Sequence, residues 1–269
     1  MRKSNFEKDL NKLNYKKYFK KFNLKKLLKT KEFKKKNFSP SFVYENNNKS
    51  VYPPDLKDLI RLHYIVTTRK ATTVLEFGVG YSTIFLADAL KYNLKKNKLY
   101  VSKNLRRSHP FKLFSIDSNK KYLRIFKNSI PKNLLKFVNL SYSGASITTF
   151  KDQICSKLDK IPNITPDFIY IDGPSFLDVK GNIDGVHFKD KDRTALNCNL
   201  LKIENLLLPG TLVLWDGQTN NARFNSSNFK RKWHSKRIEK MDISFSEQIE
   251  EPLGYLNKRQ IDFSKFKAI

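Results

Sequence analysis

Thr73-Val74-Leu75-Glu76-Phe77-Gly78-Val79-Gly80-Tyr81-Ser82-Thr83 is an apolar, β-branched run that ends in an acidic residue, two spaced glycines and a pair of hydroxyls. Thr73 to Phe77 suits a buried strand, and Ser82 to Leu90 has helical spacing with a hydroxyl residue placed to cap it. Glycines at 78 and 80 let the turn adopt positive φ and let backbone N–H groups approach a ligand with no Cβ in the way. Taken alone, a Gly-x-Gly turn serves a tight strand-to-helix connection equally well.

Three further segments repeat the pattern. Phe111 to Ser118 reads as a strand ending in Asp117, Pro166 to Pro174 as a buried strand tipped by Asp172, and Leu206 to Gly217 as a helix end closed by Pro209-Gly210 before a strand ending in Asp216. Four apolar strands whose C-terminal tips carry Glu76, Asp117, Asp172 and Asp216 predict a parallel α/β sheet, and ligands of such sheets sit outside the carboxyl ends of the strands.

This order of segments resembles the class I S-adenosylmethionine-dependent methyltransferases over roughly residues 55 to 250: E-x-G-x-G-x-S-T, an acidic strand end, D-x-I-Y-I-D-G, then L-L-x-P-G-x-x-V-x-x-D. The resemblance implies a Rossmann-like, doubly wound, mostly parallel seven-stranded sheet of order 3-2-1-4-5-7-6 with helices on both faces. It implies that Glu76, Gly78 and Gly80 hold the methionine end of S-adenosylmethionine, with Tyr81, Ser82 and Thr83 lining the same turn. Asp117 would accept from the ribose hydroxyls. Ser143 and Gly144 fall where the family contacts adenine, without the acidic residue often found there, and Asp172 closes the cofactor side. A dinucleotide fold is disfavoured: the third glycine of its fingerprint would fall at Thr83, and no acidic residue lies between Asp88 and Asp117. Tyr92 to Pro110, basic and poorly periodic, reads as an insertion.

Asp172 and Asp216, expected at neighbouring strand ends, are the candidate catalytic pair. One could act as base towards an acceptor hydroxyl, or both could hold Mg²⁺ or another divalent cation that acidifies it. The pair resembles the metal-binding positions of catechol-type O-methyltransferases, although Gly217 stands where another ligand is usual. Ser175 to Arg193 has no clean period and reads as a substrate lid, with His187 as a further general-base candidate because histidine titrates near neutrality. Asn220, Asn221 and Arg223 could add polar contacts to the acceptor.

The acceptor expected by analogy is a small hydroxylated compound such as a sugar or glycan precursor. Ribose or rRNA methylation is the alternative within enzymes, and a non-catalytic cofactor-binding or membrane-associated scaffold the alternative outside them. Base methylation is disfavoured, since Asp172-Gly173-Pro174-Ser175 is not the motif of exocyclic amino methylation and neither cysteine lies in a Pro-Cys pair.

The 269 residues suit one α/β domain of about 200 residues plus accessory segments. Cys155 and Cys198 are too few and too separated for a disulfide framework or a zinc site, which makes a reducing cytoplasm the expected home. No apolar run has the length of a membrane span. The net charge of +28 favours polyanions non-specifically, and the heavy use of Lys and Asn alongside Ile, Phe and Tyr suggests that base composition supplies much of it.

That charge is densest at the N-terminus, where residues 1 to 36 hold Arg2 and fourteen lysines against Glu7, Asp9 and Glu32, a balance of +12. Apolar residues recur there near helical spacing. The segment therefore reads either as a basic amphipathic helix on an anionic membrane face or polyanion, which would put the protein at the inner membrane face, or as an arm that is solvated or packed on the domain. The division expected is a basic arm and linker over 1–54 and the methyltransferase-like domain over 55–269, with Pro53-Pro54 breaking the chain before Asp55 caps the next helix.

Overall fold

The computed structural model describes residues 4–28, 55–190 and 192–265. The expected linker from Phe38 to Pro54 and the last part of the basic segment lie outside the described residues. Two short helices, α1 (Phe6–Leu10) and α2 (Tyr15–Lys21), precede α3 (Leu56–Thr68), β1 (Thr73–Phe77) and α4 (Tyr81–Asn104). Then come β2 (Lys112–Asp117), α5 (Lys120–Lys127), α6 (Lys132–Leu135), β3 (Val138–Tyr142), β4 (Ala145–Phe150), β5 (Gln153–Leu158), β6 (Phe168–Ile171) and β7 (Val179–Lys180). The chain closes with α7 (Asn199–Ile203), β8 (Leu212–Asp216), α8 (Thr219–Asn228), β9 (Trp233–Ile238), β10 (Ile243–Gln248) and α9 (Tyr255–Ser264).

Seven strands form one sheet in the order β3-β2-β1-β6-β8-β10-β9. The first five run parallel, and β10 is antiparallel to both β8 and β9. Numbered along the chain with the small-sheet strands left out, this is 3-2-1-4-5-7-6, the class I methyltransferase order anticipated from the motifs. The order reverses between β1 and β6, so the crevice of a switch point opens beside the glycine turn.

Alternate residues of each central strand feed two cores. Val74, Leu113, Phe168, Tyr170, Leu212, Leu214 and Phe245 meet α3, α4 and α5 on one face, while Leu75, Phe77, Ile169, Ile171, Val213 and Trp215 fill the other. The second face differs from the all-helical cover expected. A small sheet of order β5-β4-β7 shares that cover with α7 and α8, because the connection from β3 to β6 is a hairpin and not a helix.

Asp55 caps α3 as expected, its side chain accepting from the Lys57 N–H at 2.7 Å. Tyr92 to Asn104, read as insertion, continues α4 instead: this half of the helix lies largely outside the core, so no apolar stripe marks it. Residues 6–27 pack on the domain. Phe6, Leu10, Tyr18, Leu24 and Leu27 are buried in the same core as α3 and α4, and the Tyr18 hydroxyl lies 2.8 Å from Nδ1 of the fully buried His63. Among the described residues no helix is long and apolar enough to cross a membrane.

Candidate functional site

Glu76 ends β1 with none of its surface exposed. Its carboxylate accepts hydrogen bonds from Ser82 (2.6 Å), Thr83 (2.7 Å) and Ser115 (2.6 Å), which ties β1 to β2 and to the first turn of α4. Burial pushes its pKa up to about 7 against those three donors. The expected ligand-facing roles of Glu76, Ser82 and Thr83 therefore differ from their geometry: the hydroxyls turn inward onto the carboxylate and brace the turn from beneath. Thr83 also accepts the Gly80 N–H at 3.1 Å.

The two glycines of the turn do different work. Gly78 has φ +93°, and a Cβ there would stand 3.1 Å from the backbone of Asp172, so its smallness serves the close approach of β1 and β6. Gly173 meets Gly78 from the other side in the same way. Gly80 is extended, and a Cβ on it would meet nothing nearer than the Tyr122 hydroxyl at 3.8 Å. Gly80 thus stands without strain or close backbone contact at the N-terminus of α4, an end whose helix dipole and backbone N–H groups suit an anionic or polar ligand. Tyr81, half-buried, begins the helix beside it.

Asp117, half-buried at the tip of β2, accepts the Val79 N–H at 2.9 Å and the Asn119 N–H at 2.7 Å. Burial raises its pKa, opposed by these backbone donors. Ser143 is buried, and its hydroxyl accepts the Lys160 N–H at 2.8 Å. Gly144 lies directly against the Asp159 carboxylate, which a Cβ at 144 would strike. An acidic side chain, that of Asp159 just after β5, therefore stands beside Gly144. Tyr122 is a second residue that sequence reasoning missed: its hydroxyl faces Gly80, and the Asp117, Glu76 and Asp172 carboxylates add to burial in raising its pKa.

At the tips of β6 and β8 the Tyr170 hydroxyl donates to Asp216 at 3.1 Å. Asp172 follows β6, whose neighbour β8 ends in Asp216. The surrounding protein, then the Asp216, Glu76 and Asp58 carboxylates, push the Asp172 pKa well up, and because Asp172 keeps an exposed surface the direction rests on the carboxylates more than on desolvation. Burial raises Asp216 too, opposed by Arg61 and the Tyr170 hydroxyl. Asp58 and Arg61 enter from the first turns of α3, paired at 2.6 Å.

Among the described residues no three His, Cys, Asp or Glu side chains are grouped to hold a metal ion. The donor set does not fit a divalent cation either. Two carboxylates share one tyrosine donor, Gly217 offers no ligand, and the guanidinium of Arg61 already supplies positive charge to Asp216. His187 is exposed, its backbone oxygen accepting from Arg193 at 2.7 Å, and it is absent from the groups that perturb Asp172 or Asp216. The expected lid is folded in part: β7 pairs with β4, and Val179 and Phe188 are buried. Asn221 is fully buried and spends its amide on Asn197 and Gln218.

A shallow hollow lined by Arg69, Asp167, Gly210 and Ser264 lies apart from these acidic tips and includes none of them.

No protein-family model and no curated protein sequence matches the chain. Solved structures with a similar course include an O-methyltransferase from Bacillus cereus in complex with SAH, at 14% identity and a TM-score of 0.40 over 88% of this chain and 90% of that one. Another is the cofactor-bound Rv0187 from MTB, at 12% identity and a TM-score of 0.43 over 76% of this chain and 85% of that one. At such values the strand order and the residues at the strand tips carry the functional reading.

Proposed function

We propose that the chain is an S-adenosylmethionine-dependent methyltransferase acting on a hydroxyl of a small polyhydroxylated acceptor, such as a sugar or glycan precursor. The observation that carries this reading is the Gly80 turn at the N-terminus of α4, with Asp117 tied to it from the tip of β2 and with Asp172 and the Tyr170–Asp216 pair at the tips of the neighbouring parallel strands β6 and β8. The cofactor would rest on the Gly80 turn, with Asp117 at its ribose, Ser143, Gly144 and Asp159 near its adenine, and Tyr122 along its length. When bound, it supplies an electrophilic methyl group on a sulfonium.

The chain's own residues then have two tasks, to align the acceptor oxygen and to receive its proton. Asp172, whose pKa is pushed up by its protein surroundings and by the Asp216, Glu76 and Asp58 carboxylates, is the candidate base. Tyr170 fixes Asp216 by its hydrogen bond, leaving that carboxylate's other oxygen for a neighbouring acceptor hydroxyl. Three carboxylates with few competing donors suit a ligand rich in hydroxyls, which favours a polyol over an anionic acceptor.

Calorimetry with S-adenosylhomocysteine tests the cofactor half of the reading, and incubation with methyl-labelled S-adenosylmethionine and fractionated cell extract tests the acceptor. Label in sugars, nucleotide-sugars or glycans is the expected result. Label in RNA would assign the ribose or rRNA alternative, and binding without any transfer would leave a cofactor-binding scaffold.

A further inference from the structure

α4 is longer than the sheet it packs on. The Asn93 side chain donates to the carbonyls of Val66 and Ala71, both at 2.9 Å, which sets that residue level with the start of β1. The rest of the helix, to Asn104, runs about 16 Å further. It projects past the amino ends of the parallel strands, opposite the Gly80 turn. α9 lies antiparallel beside it: Phe263 stacks on Tyr100 with ring centroids 5.0 Å apart, and Arg259 donates to the Asn104 side chain at 3.5 Å. The Arg259 guanidinium also covers the Tyr255 ring at 4.4 Å, so Tyr255, one turn before it, stands at the level where α4 ends.

Exposed apolar side chains gather on this projecting pair. Leu99 is 73% exposed and Tyr100 43%, and at the start of α9 Leu253 is 63%, Tyr255 65% and Leu256 46% exposed. Lys95, Lys96 and Lys103 share the Leu99 face of α4 at i,i+3 and i,i+4 spacing, and Lys98 and Arg106 are exposed nearby. Among the described residues none of these five cations belongs to an ion pair, and no acidic residue occurs from Ala89 to Ile116. On the α9 side the acidic residues are Glu251 and Asp262, the latter paired with Lys265 at 2.6 Å. Base composition can enrich lysine, but it gives no reason for leucine and tyrosine to stand in solvent beside it. The partner this surface fits is anionic and apolar at once. A leucine offers nothing to a phosphate or a base edge, whereas it gains by entering the acyl boundary of a bilayer, and tyrosine and lysine suit the headgroup layer above it. The apolar side of residues 6–27 has no such use, because Phe6, Leu10, Tyr18, Leu24 and Leu27 are already in the core. We propose that the end of α4 and the start of α9 form a docking surface for an anionic lipid bilayer, the leucines and tyrosines entering the interface while the lysines meet headgroup phosphates. Docked there, the Gly80 turn at the opposite ends of the strands faces the aqueous side.

Co-sedimentation of the full-length protein with vesicles containing phosphatidylglycerol tests the surface, with phosphatidylcholine vesicles as the neutral control. Wild type is expected to bind the anionic vesicles about tenfold or more tightly than the neutral ones, and to release them as salt rises. Two variants divide the surface by chemistry: Lys95→Gln, Lys96→Gln and Lys103→Gln together, and Leu99→Ser with Leu256→Ser. Each should bind the anionic vesicles about tenfold or more weakly, while melting near wild type because the changed side chains are exposed. Vesicle binding in either variant equal to that of wild type overturns the proposal. A single-stranded RNA oligonucleotide that binds more tightly than the vesicles, and is lost in the lysine variant alone, would assign the surface to nucleic acid and overturn it too. So would a dimer in analytical ultracentrifugation that the leucine variant dissolves, which would seat a second copy there. No arm of the test uses the cofactor, so its result is independent of the methyltransferase reading.

Discussion

The Asp117 carboxylate at the tip of β2 accepts a hydrogen bond from the Val79 N–H, 2.9 Å away, and so ties the second strand to the glycine turn that follows the first. Its second oxygen accepts the Asn119 N–H, and the Asn119 side chain in turn caps the next helix by accepting from the Tyr122 N–H. One side chain thus shapes the turn and offers its remaining lone pairs to a ribose. Asp117→Ala is expected to weaken S-adenosylhomocysteine binding by about 1.5–3 kcal/mol, the value of hydrogen bonds to a charged group. Asp117→Asn can keep an acceptor for Val79 while removing the charge, so it should fall between the two in calorimetry. Unchanged affinity in Asp117→Ala would remove the residue from the site.

The contrast between Gly78 and Gly80 predicts opposite phenotypes for similar substitutions. Gly78→Ala forces a side chain into positive φ with backbone atoms 3.1–3.2 Å away, and is expected to cost about 1–3 kcal/mol of stability. Gly80→Val places its Cβ in ordinary contact with the Tyr122 hydroxyl at 3.8 Å and the Ser82 hydroxyl at 3.9 Å, and leaves an extended backbone unstrained. It should melt near wild type yet fail to bind S-adenosylhomocysteine. A Gly80→Val protein that binds normally would place the cofactor elsewhere.

Glu76 makes stability depend on pH with a definite sign. Its folded pKa, about 7, lies above the ordinary carboxylate value of 4.5. The native state therefore holds this proton more tightly than the unfolded chain. The associated stability is complete below about pH 4.5 and is lost as pH rises through about 7, on the order of 3 kcal/mol in all. Glu76→Gln has no such proton to lose and should flatten the fall in denaturation free energy between pH 5 and 8. Asp58, with a pKa also near 7, leaves a residual slope of the same sign. An identical pH profile in wild type and Glu76→Gln would show that Glu76 is ionised throughout.

Much of this arrangement is legible from local pattern. β-Branched runs ending in acid and glycine mark β1, β6 and β8, because a strand buried on both faces needs apolar residues at every position and a ligand-bearing tip needs the opposite. What escapes is whatever depends on distant segments meeting. Asp58 and Arg61 precede Tyr170 by a long stretch of chain, and a charged i,i+3 pair on a helix ordinarily marks a solvated face. The available signal was that nearly every other position from Leu59 to Val66 is apolar. Asp159 reaches Gly144 only because β4 and β5 form a hairpin. Cys155 on β5 and Cys198 before α7 are both fully buried and free, although far apart in sequence.

The N-terminal segment gives the last prediction. Removing residues 1–37 is expected from sequence to leave the folded domain and its cofactor binding intact, since all the motif-bearing strands lie beyond Asp55. The packing predicts otherwise. The Phe6 ring centroid is 4.6 Å from that of Phe245 on β10, and Tyr18 joins His63, whose Nε2 lies 3.4 Å from Asp88 on α4. Burial holds the His63 pKa down, so removing the segment would expose a neutral imidazole as well as apolar surface. Phe6→Ala should cost about 3–5 kcal/mol, as for other buried aromatics, and Tyr18→Phe about 1 kcal/mol for one hydrogen bond. Deleting residues 1–54 should cost more than either and leave a protein that unfolds at lower denaturant or fails to fold cooperatively. A deletion variant with wild-type denaturation midpoint and intact S-adenosylhomocysteine binding would show that these helices ride on the domain without supporting it.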